Sequence, residues 1–165
     1  MKFDRECSCE EVGHGDFGPV SSSERLARVL TSPNHIAKDN ETFKPSAFPR
    51  GHIQRTGISL IRVDRIDVVE LRKQADAIAG NRLKEKLLGV GLSNARQLRD
   101  AIDLKTGKRL FCVVDDPVMA TEKLPENLAH AFLVSAYDVE LPVILKLQGI
   151  LMDFFKPLIP IEKVY

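Results

Sequence analysis

At 165 residues the chain is long enough for one ordinary domain and too short for two, and its 44% hydrophobic content suffices to fill a core. The 24 basic and 23 acidic side chains leave a formal charge of +1, which argues against a uniformly basic nucleic-acid protein and against an acidic solvating tail. The total conceals a gradient: residues 1–43 hold 5 basic and 8 acidic side chains (net −3), residues 44–109 hold 15 and 7 (+8), and residues 110–165 hold 4 and 8 (−4).

The opening Met1, Lys2, Phe3, Asp4, Arg5, Glu6 lacks the apolar run of a secretory signal. Residues 1–23, with Gly13, Gly15, Gly18, Pro19 and the serines 21 to 23, are predicted to be a flexible N-terminal tail, which leaves 24–165 as a single globular domain. Residues 24–30 place Leu26, Val29 and Leu30 at helical spacing and are predicted as a short helix, with a strand as the alternative. Residues 31–56 form a long connection punctuated by Pro33, Pro45, Pro49 and Gly51. Ile58 and Leu60 alternate in a predicted strand over 57–63. Asp67 caps a predicted helix through Ile78, with Val68, Leu71, Ala75 and Ile78 on one face. Two more short helices are expected over 81–88 and 94–102, separated by Gly89, Val90 and Gly91. Strands are expected over 110–114, ending at Asp115, Asp116 and Pro117, and over 128–134. Residues 139–155 read as a long buried helix, apolar nearly all round, a pattern that also suits a homo-oligomer or partner-subunit interface. Lys146, Gln148, Asp153 and Lys156 interrupt this apolar region, so it falls short of a membrane span. The expected fold is α+β, or α/β: a small mixed sheet with packed helices and a long buried C-terminal helix.

The segment Leu87, Leu88, Gly89, Val90, Gly91, Leu92, Ser93, Asn94, Ala95, with Leu98 following, resembles the hairpin of a helix-hairpin-helix DNA-binding motif over about residues 83–102. The resemblance implies that Gly89, Val90 and Gly91 meet a phosphate through their backbone N–H groups, with Ala95 at the helix contact and Leu98 in the core. Lys84, Lys86, Arg96 and Arg99 stand nearby as sequence-independent phosphate contacts, and Lys44 joins them as a candidate. Other phosphate loops fail: a dinucleotide fingerprint meets Asn94 where it needs glycine, and a P-loop meets Ile102 and Arg109. The whole chain also resembles a group of uncharacterised bacterial proteins through Lys44 to Phe48, Gly57 to Ser59, Arg62, Asn127 and Ala129 to Ala131, which adds no activity.

A second polar set contains His35, Arg62 and His130 as candidate catalytic residues, with Lys44, His52 and Asp115 around them. Imidazole serves as acid or base near neutral pH and arginine stabilises negative charge. Cys7, Cys9, His14 and Asp16 lack the spacing of a structural zinc site, so no metal or cofactor is expected. Cys112 reads as a small inert hydrophobe, and an odd total of three cysteines suits a reducing cytoplasm. Three readings result: a protein binding nucleic acid or another phosphate-bearing ligand through its basic middle, a nuclease or transferase using His35, Arg62 and His130, or a non-enzymatic interaction subunit.

Overall fold

The computed structural model describes residues 7–80 and 84–165. Six strands, β1 (Arg25–Ser32), β2 (Ile58–Arg62), β3 (Lys86–Asn94), β4 (Phe111–Asp115), β5 (His130–Ser135) and β6 (Leu158–Ile159), form one sheet in the order β4-β5-β2-β1-β3-β6. Every pairing is antiparallel, so the fold is α+β and the sheet is not mixed. Among the described residues three α-helices accompany it: α1 (Val68–Gly80), α2 (Ala95–Arg99) and α3 (Leu141–Phe154).

Strand alternation divides the core between the two faces. Leu26, Leu30, Ile58, Leu60, Val113 and Leu133 point to the face covered by α2 and α3. Ala27, Val29 and Ile61 point to the other face, where Leu71 and Ala75 of α1 meet them. This double cover explains β1, predicted as a helix in its first residues: six consecutive residues from Leu26 to Thr31 are buried, so no polar alternation marks the strand.

Helix α1 begins as expected, with the Glu70 N–H donating to Asp67 Oδ1 at 2.8 Å. Helix α3 carries Pro142 in its first turn and buries Ile144, Leu147, Gln148 and Leu151. It is not enclosed all round, since Leu141 and Leu145 are about half exposed. Gln148 Nε2 donates to the Pro45 and Phe48 carbonyls at 3.0 and 2.9 Å, fixing the long 33–56 connection over that face. No helix among the described residues is long and apolar enough to cross a membrane.

Two expectations for the chain's local structure are corrected. From Cys7 onward the N-terminal segment is packed rather than a free tail, while residues 1–6 lie outside the described residues. Cys7 forms a disulfide with Cys112, so Cys112 is not an inert thiol. The turn Ser8–Glu11 follows, and Glu10 Oε1 accepts the Val113 N–H of β4 at 2.5 Å. The second correction concerns 81–88: residues 81–83 lie outside the described residues, and Lys86 to Leu88 belong to β3 rather than a helix.

Candidate functional site

The three expected catalytic residues occupy separate places. Arg62, fully buried, is the centre of an ion-pair knot. Its Nε donates to Glu24 Oε2 at 2.7 Å, one terminal nitrogen donates to Asp115 Oδ1 at 2.7 Å, and the other donates to Glu24 Oε1 at 2.8 Å. The carbonyls of Phe17, Gly18 and Pro19 accept the remaining N–H groups. All the donors of the guanidinium are therefore directed at the protein itself, which leaves none for a substrate. Burial pushes the Glu24 carboxyl up, but hydrogen bonds from Arg62, Arg65 and the Ser21 N–H outweigh it, and the pKa falls from 4.5 to about 2. Burial also works against the Arg62 charge, yet the Glu24 and Asp115 carboxylates reverse this and hold its pKa above the ordinary value.

His35 is buried at the far end of β1, where its Nδ1 accepts the Thr31 N–H and lies 3.2 Å from Thr31 Oγ1. His130 is beside Arg62 in sequence register, because Ile61 pairs with His130 across β2 and β5. Alternation nevertheless sends the two side chains to opposite faces: His130 shares the α1 face with Ile61, and Arg62 the α3 face with Leu60.

The expected phosphate set also separates. Gly89, Val90 and Gly91 lie inside β3, not in a turn between helices, and Val90 is fully buried. A Cβ on Gly91 would come 2.5 Å from the Phe155 carbonyl oxygen, and one on Gly89 would strike the Ile159 carbonyl. These glycines admit the C-terminal segment, whose β6 pairs with Val90 and Gly91. Lys84 and Lys86 are exposed at one end of the nine-residue β3, whereas Arg96 and Arg99 follow its other end, roughly 25–30 Å away at strand rise. Arg99 is paired with Glu10 at 3.1 Å. Lys44 donates to the Pro33 carbonyl at 2.6 Å and shares a shallow basin with Lys84 and Glu85.

The structure gathers a different set. Strands β1 and β2 are in register only at Leu26 with Arg62 and Ala27 with Ile61. Beyond these pairs they diverge, and a cavity of about 310 Å³ occupies the wedge beneath α1. Its size is at the lower end of the range for small-ligand sites. The floor is aliphatic, from Ala27, Val29 and Ile61, with Ile78 of α1 beside it. Val118, Leu124 and Pro125 of the β4–β5 connection face it from the other side.

Polar groups at this cavity are fixed from behind. His130 Nδ1 lies 2.7 Å from the Asp116 carbonyl oxygen and 3.1 Å from Asp116 Oδ2. A carbonyl only accepts, so Nδ1 carries the proton and Nε2 is the nitrogen available to a ligand. Gln74, buried in α1, donates through Nε2 to Glu70 Oε1 and the Glu126 carbonyl at 2.7 and 2.6 Å. Arg28 spans the diverging strands, its guanidinium donating to the carbonyls of Ala47 and Ser59 at 3.0 and 3.1 Å. Exposed His52 and Ser59 and buried Asn127 complete the polar lining, which among the described residues contains no carboxylate. An imidazole fixed by a neighbouring carboxylate, with its second nitrogen available, is equipped to accept or donate a proton.

Of this set, sequence reasoning selected only His130 as a site residue; it mentioned His52 in the polar set and Asn127 only within the resemblance to uncharacterised proteins. Gln74 carried a usable signal, because it is polar at a position one turn from Leu71 and Ile78 on the apolar face of α1. Arg28 and Asn127 carried none, since their roles follow from strand divergence and from the course of the β4–β5 connection.

Cys7, Glu10 and Cys112 also bring ligand-type atoms within 4.8 Å of one another. The two sulfurs are bonded together, and the Glu10 oxygens are engaged by Arg99, Arg109 and the Val113 N–H, so this cluster is a structural fastening. Comparison of the chain with protein-family models, curated proteins and solved structures finds no match.

Proposed function

We propose that the protein binds a small phosphate-bearing ligand in the cavity between β1, β2 and α1. The observation that carries this reading is the composition of the lining: Arg28, His52 and His130 border the cavity, and among the described residues no Asp or Glu does. Asp116 and Glu70 reach the site only through His130 and Gln74, and each orients its neighbour. A partly open site with one arginine, two imidazoles and an aliphatic floor favours an anionic head on a less polar body. The expected preference for a phosphate-bearing ligand is thereby moved from the β3 glycines to this cavity. The Cys7–Cys112 disulfide favours an oxidising compartment over the cytoplasm suggested by the cysteine count.

Titration calorimetry with the four ribonucleoside 5′-monophosphates tests the reading. At least one should bind, and His130→Gln should weaken it about tenfold, the effect of losing a hydrogen bond to a charged group. Absence of binding by all four at millimolar concentration, or an unchanged affinity in the variant, rejects it.

A second reading, hydrolysis of a phosphate ester in the same cavity, is favoured by the contact of Asp116 with His130 Nδ1. That contact leaves Nε2 as a base able to take a proton from an attacking water. Release of inorganic phosphate from a bound nucleotide, lowered about 100-fold or more in His130→Gln, is the expected result. Binding without turnover leaves the first reading alone.

A further inference from the structure

The cavity holds polar groups that Arg28 and the two histidines do not account for. Asn127 is 8% exposed, and its backbone N–H and carbonyl are paired with Val118, but its side-chain amide has no protein partner among the described residues. Gln74 is 3% exposed, and both bonds of its amide are made by Nε2, which leaves Oε1 without a protein partner among the described residues. Both side chains line the cavity. These open amide atoms are reached from the cavity rather than sealed in the core, so their partner is whatever fills it, water or a polar ligand.

The two amides are neighbours, because Gln74 Nε2 bonds to the carbonyl of Glu126, the residue preceding Asn127. They differ in freedom. Gln74 cannot exchange its nitrogen and oxygen without losing two bonds, so Oε1 is a fixed acceptor. Asn127 offers a donor and an acceptor side by side. A fixed acceptor beside a donor–acceptor pair matches a ring that carries an exocyclic amine next to a ring nitrogen, the edge that asparagine and glutamine amides also read in nucleic acids. The rest of the lining suits an apolar ring, since Ile61, Ile78, Leu124 and Pro125 all border the cavity.

We infer that the cavity recognises an amine-bearing heterocyclic base, the amine donating to Gln74 Oε1 and the adjacent ring nitrogen accepting from the Asn127 amide. The inference rests on this cavity being the binding site of the phosphate-bearing ligand proposed above, and it assigns the opposite end of that ligand.

Two ligand pairs of matched size decide it on the unaltered protein: adenosine against inosine, and cytidine against uridine. In each pair an amine is exchanged for a carbonyl. In at least one pair the amine-bearing member should bind tenfold or more tighter, because the carbonyl leaves a buried acceptor facing another acceptor. Asn127→Asp, checked for an unchanged thermal midpoint, should reduce that ratio at least threefold. Equal affinities within both pairs, or no binding of any of the four, overturn the inference. Ribose 5-phosphate separates the two proposals. If it binds as tightly as the monophosphates and the pairs show no preference, the phosphate reading stands and the base reading falls. If the nucleosides bind with the expected preference and the phosphate adds nothing, the reverse holds.

Discussion

Replacing Arg62 with methionine is expected to destabilise the fold by about 3–5 kcal/mol, the usual result of removing one partner from a buried ion pair. Methionine nearly fills the volume of the aliphatic stem but leaves the Glu24 and Asp115 carboxylates behind, both almost fully buried. Arg65 remains on Glu24 Oε1 at 2.9 Å, and the His14 and Gly15 N–H groups remain on Asp115 Oδ2, so neither acid is wholly abandoned. These residual bonds place the effect within that range rather than above it. The check is the urea midpoint, which should fall with little change in slope; an unchanged midpoint refutes the assignment. Acid gives an independent arm. A Glu24 pKa of about 2 when folded, against an ordinary 4.5, contributes stability that is fully present above pH 4.5 and is lost as pH falls toward 2. The parent should weaken across that window, and the Arg62→Met variant, already deprived of the partner, should weaken less, so the two converge.

Cys112→Ser should lower stability by about 2–4 kcal/mol, because the lost bond joins residues far apart in sequence and releases a large loop in the unfolded chain. The Cys7–Cys112 separation is 105 residues, which places this bond among the long-loop cases. Dithiothreitol should reproduce the loss in the parent and add nothing in the variant. Thiol counting provides the direct test: the denatured, unreduced parent should show one reactive thiol, that of Cys9, and three after reduction. Three thiols before reduction remove the premise.

The parts of this fold that were legible in the sequence are those whose partners are local. The alternation of Ile58 and Leu60, the Asp67 cap and the apolar run at Phe111 to Val114 each record a neighbourhood a few residues wide. Where the cause lies across the molecule, the local pattern misleads. The glycines of β3 look like a turn because the Phe155 and Ile159 carbonyls that require them are more than 60 residues away. Residues 7–23 look unstructured by composition, yet Cys112, Arg62 and Asp115 hold them from distant strands. Arg62 was expected as a catalytic residue, but a buried arginine with every donor engaged is a fastening of the fold rather than a reagent. The candidate site divides in the same way. His130 is conspicuous between Ala129 and Ala131, whereas Asn127 and Arg28 acquire their positions only from tertiary structure.

The order of the strands leaves two edges, β4 and β6, and the chain treats them unequally. β6 is two residues long and offers another sheet little to extend. β4 reads Phe-Cys-Val-Val-Asp, an apolar and β-branched sequence of the kind that templates aggregation when its outer rim is bare. The Ser8–Glu11 turn lies against that rim, with Glu10 occupying the Val113 N–H and the adjacent Cys7 bonded to Cys112 within β4 itself. Reduction is therefore expected to raise aggregation as well as lower stability, because release of Cys7 leaves Glu10 alone to hold the guard against the strand most able to recruit a second chain.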